Sequence, residues 1–156
     1  MKTLVVYFSR SGHTRQVAQE IAQRLNADVE EIKDLSQDRS GIVGYLQSGW
    51  QALTGTLPTL APSTKQPEDY ELTVIGTPVW NYSLSPPVRA YAAQHEGNFK
   101  DVAFFCTEGG SGDARAFAQL AKTCGHAPRA TLAVTEKELH PAAHASALEA
   151  FVRKLS

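Results

Sequence analysis

Short apolar runs rich in β-branched and aromatic residues recur along this chain, and the stretches between them are long enough to hold helices. Five such runs predict strands, at residues 3–8, 28–32, 72–75, 102–105 and 131–134. Strands that alternate with helices pair in parallel, because each crossover returns the chain to the same edge of the sheet. The pattern therefore predicts an α/β fold with a doubly wound, five-stranded parallel sheet and helices on both faces.

Apolar residues spaced three or four apart predict the helices. Three clear stripes lie at residues 17–25, 117–124 and 148–155. A fourth helix is expected to begin around Pro87, a first-turn residue, and to end near Gly97. A further helix is indicated only weakly, by Ile42, Leu46, Trp50 and Leu53.

Length and charge narrow the class of protein. The 156 residues suit a single domain, spanning 1–156, and the net charge of −1 disfavours a nucleic acid or an anionic membrane as partner. No apolar run approaches the roughly 18–20 residues that cross a bilayer, and the first run is too short for a secretion signal. We therefore expect a cytoplasmic protein. Cys106 and Cys124 lack a metal-type spacing and are expected to be reduced thiols.

The loop after the first predicted strand combines hydroxyl side chains with a glycine at a helix start. Its residues are Ser9, Arg10, Ser11, Gly12, His13 and Thr14. Glycine permits a tight turn, and the first N–H groups of a helix have no partner within it, so the loop predicts a phosphate site. The alternative is that Ser11 or Thr14 only caps the helix.

The loop after the third predicted strand carries aromatic residues and no charge. It contains Thr77, Pro78, Val79, Trp80, Asn81 and Tyr82. Exposed aromatic side chains gain from stacking on a flat ligand, so this loop predicts contact with a planar ring. The alternative is that Trp80 lies in the core.

The loop after the fourth predicted strand is rich in glycine and leads into a helix. It contains Thr107, Glu108, Gly109, Gly110 and Gly112. Backbone N–H groups that are open to close approach suit the carbonyl edge of a pyrimidine-like ring. The alternative is a flexible loop with a serine cap. Cys106, just before it, is expected to be a buried thiol rather than a nucleophile.

Together these loops resemble those of flavodoxin-like FMN-binding proteins, over essentially the whole chain. Ser9, Ser11, Gly12 and Thr14 match the phosphate-loop pattern of that family, with His13 where Asn is common. The resemblance implies the strand order 2-1-3-4-5 and FMN as cofactor. It also implies that the first loop holds the phosphate, the second lines the isoalloxazine ring, and the third follows its pyrimidine edge.

Two redox functions are compatible with this site. The first, slightly favoured, is an electron-transfer protein that passes electrons between redox partner proteins. The second is an FMN-dependent oxidoreductase acting between NAD(P)H and a quinone-like acceptor. Trp50 and its apolar neighbours suit either a homodimer or partner surface or packing over the second strand, and the sequence does not choose between them.

Other chemistries are less well supported. The spacing from Ser9 to Arg15 imitates a phosphatase loop but has serine where that reaction needs a thiolate. His140 and His144 have a spacing that suits a metal, without a third ligand in view, and a solvated helix start is the favoured interpretation.

Overall fold

The computed structural model describes residues 1–37, 57–140 and 142–156. Its strands are β1 (Thr3–Tyr7), β2 (Asp28–Glu31), β3 (Leu72–Trp80), β4 (Ser83–Leu84), β5 (Asp101–Glu108) and β6 (Thr131–Thr135). Its α-helices are α1 (His13–Leu25), α2 (Pro86–Gln94), α3 (Asp113–Cys124) and α4 (Ala145–Leu155). The helix indicated by Ile42, Leu46, Trp50 and Leu53 falls outside the described residues.

The strands form one sheet in the order β2-β1-β3-β5-β6, with every neighbouring pair on this path parallel. This confirms the predicted doubly wound order, since the long strands follow one another as 2-1-3-4-5. The count of strands differs by one. The short β4 folds back antiparallel onto the end of β3 and pairs Trp80 with Ser83.

Two apolar layers cover the two faces of the sheet. On one face, Val5 and Phe105 pack with Ile21 of α1 and Phe151 of α4. On the other face, the core continues with residues of α2 and α3, namely Val88, Tyr91, Leu120 and Cys124. Helices on both faces bury the inner strands β1, β3 and β5, which is why their central residues are largely apolar without alternation, whereas the edge strands β2 and β6 are partly exposed.

Two strands extend further than their apolar runs predicted. β3 continues through Trp80 and β5 through Glu108, so the first part of each predicted loop is strand. The extension is set by pairing, because Thr77 lies opposite Cys106 and Pro78 opposite Thr107 in the parallel ladder. The two strands therefore carry their loop residues to one common edge of the sheet.

Candidate active site

The loop between β1 and α1 presents unpaired backbone donors. Gly12, the N-cap residue, takes a left-handed conformation, with φ of 98°, and has no side chain to cap the helix. The Ser9 hydroxyl accepts from the N–H groups of Gly12 (3.1 Å) and Arg15 (3.2 Å). Within the described residues, the N–H groups of His13 and Thr14 have no acceptor. Unpaired donors at the start of a helix favour an anion.

The hydroxyls of this loop have separate roles, and the capping alternative fails for Ser11 and Thr14. Ser11 is exposed, and its Oγ lies 3.2 Å from His13 Nδ1. Thr14 is buried and shares a 2.7 Å hydrogen bond with Thr107 at the end of β5. Thr14 therefore ties the first loop to the third, while Ser11 is open to a ligand.

The basic residues of the first loop differ in how their charge is balanced. Arg15 donates to both carboxylate oxygens of Glu31, at 2.8 and 3.0 Å. His13 lies 3.7 Å from a carboxylate oxygen of Glu136. Arg10 instead lies over the ring of Trp80, with its guanidinium carbon 5.1 Å from the ring centroid. At an exposed position such a contact contributes about 0.5–1 kcal/mol.

Trp80 is neither a free stacking surface nor a core residue. It is half-buried, and its ring meets Phe8 edge to face, with centroids 5.7 Å apart. Phe8 below and Arg10 above thus fix the indole at the edge of the site. The sequence analysis placed Phe8 in a strand and did not predict its contact with Trp80.

A tight turn follows Trp80. Asn81 and Tyr82 have φ values of 50° and 61° and connect β3 to β4 as a two-residue hairpin turn. Asn tolerates this conformation, whereas for a bulky residue such as Tyr82 it is strained. The Tyr82 side chain is 65% exposed. The turn therefore holds an aromatic residue outward at the cost of backbone strain.

The second and third loops touch at Gly112. Its φ is 111°, and a Cβ at this position would lie 2.7 Å from Val79 Cγ1 and 2.8 Å from Tyr82 Cα. Only a glycine permits this approach without displacing the turn. The loops enclose an open cavity of about 440 Å³, lined by Val79, Asn81, Tyr82, Gly109, Gly110 and Ser111. Ser111, between the predicted site residues Gly110 and Gly112, lines the same cavity.

Several predicted site residues are already bonded within the chain. Thr77 is fully buried, and its hydroxyl donates to the Pro78 carbonyl at 2.8 Å and meets Ser85 Oγ at 2.9 Å.

Glu108 is buried, and one of its carboxylate oxygens has no partner within the described residues. Burial, reinforced by the charge of Asp113, raises the pKa of Glu108.

The two cysteines are buried free thiols. This confirms the prediction of reduced cysteines. Burial raises the pKa of Cys106, with smaller contributions from Glu108 and Asp113. Cys106 therefore stays protonated, as expected of a thiol that is not a nucleophile.

The expected solvated position of His144 is wrong. The residue is 1% exposed, with Nε2 2.9 Å from a Glu20 carboxylate oxygen and Nδ1 3.1 Å from the Glu138 carbonyl oxygen. Both ring nitrogens are thus engaged inside the protein, because α4 packs against α1. Among the described residues, no group of three or more His, Cys, Asp or Glu side chains is placed to hold a metal.

These features fit FMN. Unpaired N–H groups at one end suit a phosphate, and the uncharged cavity lies at the same edge of the sheet, where the close approach at Gly112 brings two of its loops together. Cavities of about 300–1,000 Å³ are typical of small-molecule sites. Ligands of doubly wound sheets bind outside the carboxyl ends of the strands, which is where these loops meet. Fold and site define a flavodoxin-like protein with a site for a phosphorylated, planar cofactor.

The family model for NADPH-dependent FMN reductases matches residues 1–137. The chain belongs to this family, which confirms the flavodoxin-like resemblance and FMN as the cofactor. A redox function as an FMN-binding, flavodoxin-like protein follows from membership. No curated protein sequence matches the chain.

Solved structures share the fold. A flavoprotein from Lactobacillus acidophilus NCFM, solved in complex with FMN, has a TM-score of 0.72 at 22% identity, covering 89% of this chain and 96% of its own. The Trp repressor binding protein of Bacillus subtilis has a TM-score of 0.61 at 12% identity, covering 99% of both chains. A WrbA-like flavodoxin from Agrobacterium tumefaciens has a TM-score of 0.52 at 17% identity, covering 96% and 98%.

In the described part of the chain, no helix has both the length and the apolar character that a membrane span requires.

Proposed function

We propose that this chain is an FMN-dependent reductase that takes a hydride from NAD(P)H and passes the electrons to a small planar acceptor of the quinone class. Bound FMN supplies the redox chemistry, by accepting two electrons with a proton and releasing them again. The protein contributes binding and orientation. The observation that carries the proposal is the uncharged cavity at the same edge of the sheet as the donor-rich start of α1, in a member of an NADPH-dependent family.

The phosphate end of the proposed site consists of neutral donors. We assign the FMN phosphate to the N–H groups of His13 and Thr14, with the exposed Ser11 hydroxyl beside them. The bidentate pair with Glu31 keeps Arg15 away from this position. Backbone donors are rigid, so their placement costs little on binding.

The ring end of the proposed site is the neutral cavity. We assign the isoalloxazine ring to the space between the Asn81–Tyr82 turn and the loop at residues 109–112. N–H groups of Gly109 and Gly110 are available to the pyrimidine edge, since both residues are exposed with open space around them. A neutral lining favours an uncharged planar acceptor over an ionic one.

The charge of the whole chain favours a reductase over an electron carrier. A carrier that docks to other proteins gains association rate from a strongly charged surface. Here 15 basic residues balance 16 acidic ones. A cytoplasmic location, where the nicotinamide donor is available, is part of the proposal.

An anaerobic titration tests the proposal. FMN-loaded protein is titrated with NADPH, with NADH and with dithionite while the flavin absorption is followed, and a quinone is then added. We expect NAD(P)H to bleach the flavin in one two-electron step and the quinone to restore it. Reduction by dithionite but not by either nucleotide, in two separate one-electron steps, would instead identify an electron carrier.

A further inference from the structure

We infer that Arg10 is a positioning residue whose guanidinium, held on the Trp80 ring, places a fixed positive charge beside the cofactor ring and favours its reduced form. This inference rests on the proposed function. It assigns Arg10 to the ring end of the site rather than to the phosphate. The position of the side chain over Trp80 is the direct observation.

The balance of charge in the first loop singles out Arg10. Arg15 is neutralised by two hydrogen bonds to Glu31, and His13 lies beside Glu136. Arg10 has no carboxylate within salt-bridge distance in the described ranges. Its charge is therefore the uncompensated one of the three, and the residue is exposed.

The contact with Trp80 fixes where this charge acts. Phe8 supports the indole from the core side, so Trp80 has a defined position on which Arg10 rests. An arginine on an aromatic ring keeps its charge, because the contact is with the π face and not with an anion. The charge of Arg10 is thus held in a cluster with Phe8 and Trp80 at the strand ends. Trp80 directly precedes the Asn81–Tyr82 turn, which lines the cavity.

A positive charge at this place distinguishes the two redox states of the cofactor. When a flavin takes two electrons and one proton from a hydride donor, its net charge becomes more negative by one unit. A neighbouring cation stabilises that product more than the neutral oxidised ring. The geometry therefore predicts that Arg10 binds the reduced cofactor more strongly than the oxidised one.

The test compares the two-electron midpoint potential of wild type, Arg10→Gln, Arg10→Lys and Arg153→Gln. Arg153 is an exposed arginine at the end of α4 and serves as the control. We expect Arg10→Gln to lower the preference for reduced over oxidised FMN about three- to tenfold, a tenfold change being about 30 mV for this couple. Arg10→Lys should retain most of the preference, and Arg153→Gln all of it. Added salt should shrink the difference, because the side chain is exposed.

A second measurement separates this role from a purely structural one. In a Trp50→Phe background Trp80 is the remaining indole of the two in the chain. In the FMN-free protein, acrylamide should quench the Trp80 fluorescence more strongly in Arg10→Gln and in Arg10→Lys than in wild type. Neither glutamine nor lysine has the planar guanidinium that covers the ring. Arg10→Gln with a wild-type potential, or equal weakening of both redox states, would overturn the inference. Failure of the wild type to bind FMN would instead refute the proposed function itself.

Discussion

At the scale of single residues, the site depends on donors that the chain leaves unpaired. Thr14 is engaged with Thr107, and the Ser9 oxygen only accepts from N–H groups of the loop, which leaves its O–H free. The donors left for a ligand, among the described residues, are therefore the Ser9 and Ser11 hydroxyls and the N–H groups of His13 and Thr14. Backbone donors persist in every substitution except one to proline, but a nearby anion easily cancels their electrostatic field. Charge at position 11 is therefore the most direct probe of the phosphate assignment.

Ser11→Asp is expected to weaken FMN binding, because a carboxylate near the unpaired N–H groups would compete with the phosphate for them and repel it. The loss should be about tenfold or more, the equivalent of roughly 1.4 kcal/mol. The measurement is FMN affinity by fluorescence quenching. Ser11→Asn, which has a similar shape and no charge, is the matched control and should bind FMN nearly as wild type does. Equal affinity in the Asp and Asn variants would contradict the phosphate assignment.

At the scale of elements, three contacts join the three loops. Thr14 meets Thr107, Arg10 meets Trp80, and Gly112 meets the turn at Val79 and Tyr82. Each contact joins a different pair of loops, so the site is a closed set of strand ends rather than three independent segments. The contact at Gly112 is the tightest and therefore the least tolerant of change.

Gly112→Ala is expected to separate the second and third loops. The added Cβ would lie within 3 Å of both Val79 and Tyr82. Strain and displacement should cost about 1–3 kcal/mol of stability and lower FMN affinity about tenfold. Denaturant unfolding and FMN titration measure the two effects.

Gly97→Ala is the matched control for that change. Gly97 also has positive φ, at 87°, but a Cβ there meets nothing within 4 Å. It should lose about 1 kcal/mol of stability at most and no FMN affinity. If both alanine variants lose FMN affinity equally, the close approach at Gly112 is not what shapes the cavity.

At the scale of the whole molecule, a partly buried ionic contact connects the two helices on one face. His144, at the start of α4, meets Glu20 of α1 at 2.9 Å. Although burial disfavours the cation, hydrogen bonds to the Glu138 carbonyl and to Glu20 raise the pKa of His144. Because α1 begins at the phosphate loop, this contact links the C-terminal helix to the element that presents the ligand donors.

The contact predicts how stability depends on pH. A group whose pKa is raised on folding contributes fully below its unfolded pKa, about 6.5 for histidine, and the contribution is lost as pH rises through the folded value. Glu20→Gln should therefore cost about 1–3 kcal/mol at pH 6 and progressively less at alkaline pH. Urea unfolding from pH 5.5 to 9 tests this, with Glu149→Gln, an exposed change on α4, as control. Parallel pH profiles for wild type and Glu20→Gln would contradict it.

Much of the fold, and the candidate site, could be predicted from local sequence patterns. Apolar runs and helical stripes predicted all five long strands and the four described helices, because a parallel sheet buries its strands on both faces. The phosphate-loop residues remain a prediction from Gly12 and its neighbouring hydroxyls, which the N–H groups of His13 and Thr14, without acceptors among the described residues, support. FMN as cofactor followed from the same loops and is confirmed by the family.

Long-range contacts decided the remaining features of the fold and the site, because the residues next to a position in the sequence do not show which residues pair with it across the sheet. Strand pairing extended β3 and β5 into the predicted loops, and a two-residue turn created β4. Helix packing buried His144 against Glu20, 124 residues away. The position of Arg10 on Trp80 needs two strand ends to meet at one edge of the sheet. Sequence by itself thus determined the type of site and its donors, whereas tertiary structure decided which side chains remain free to serve it.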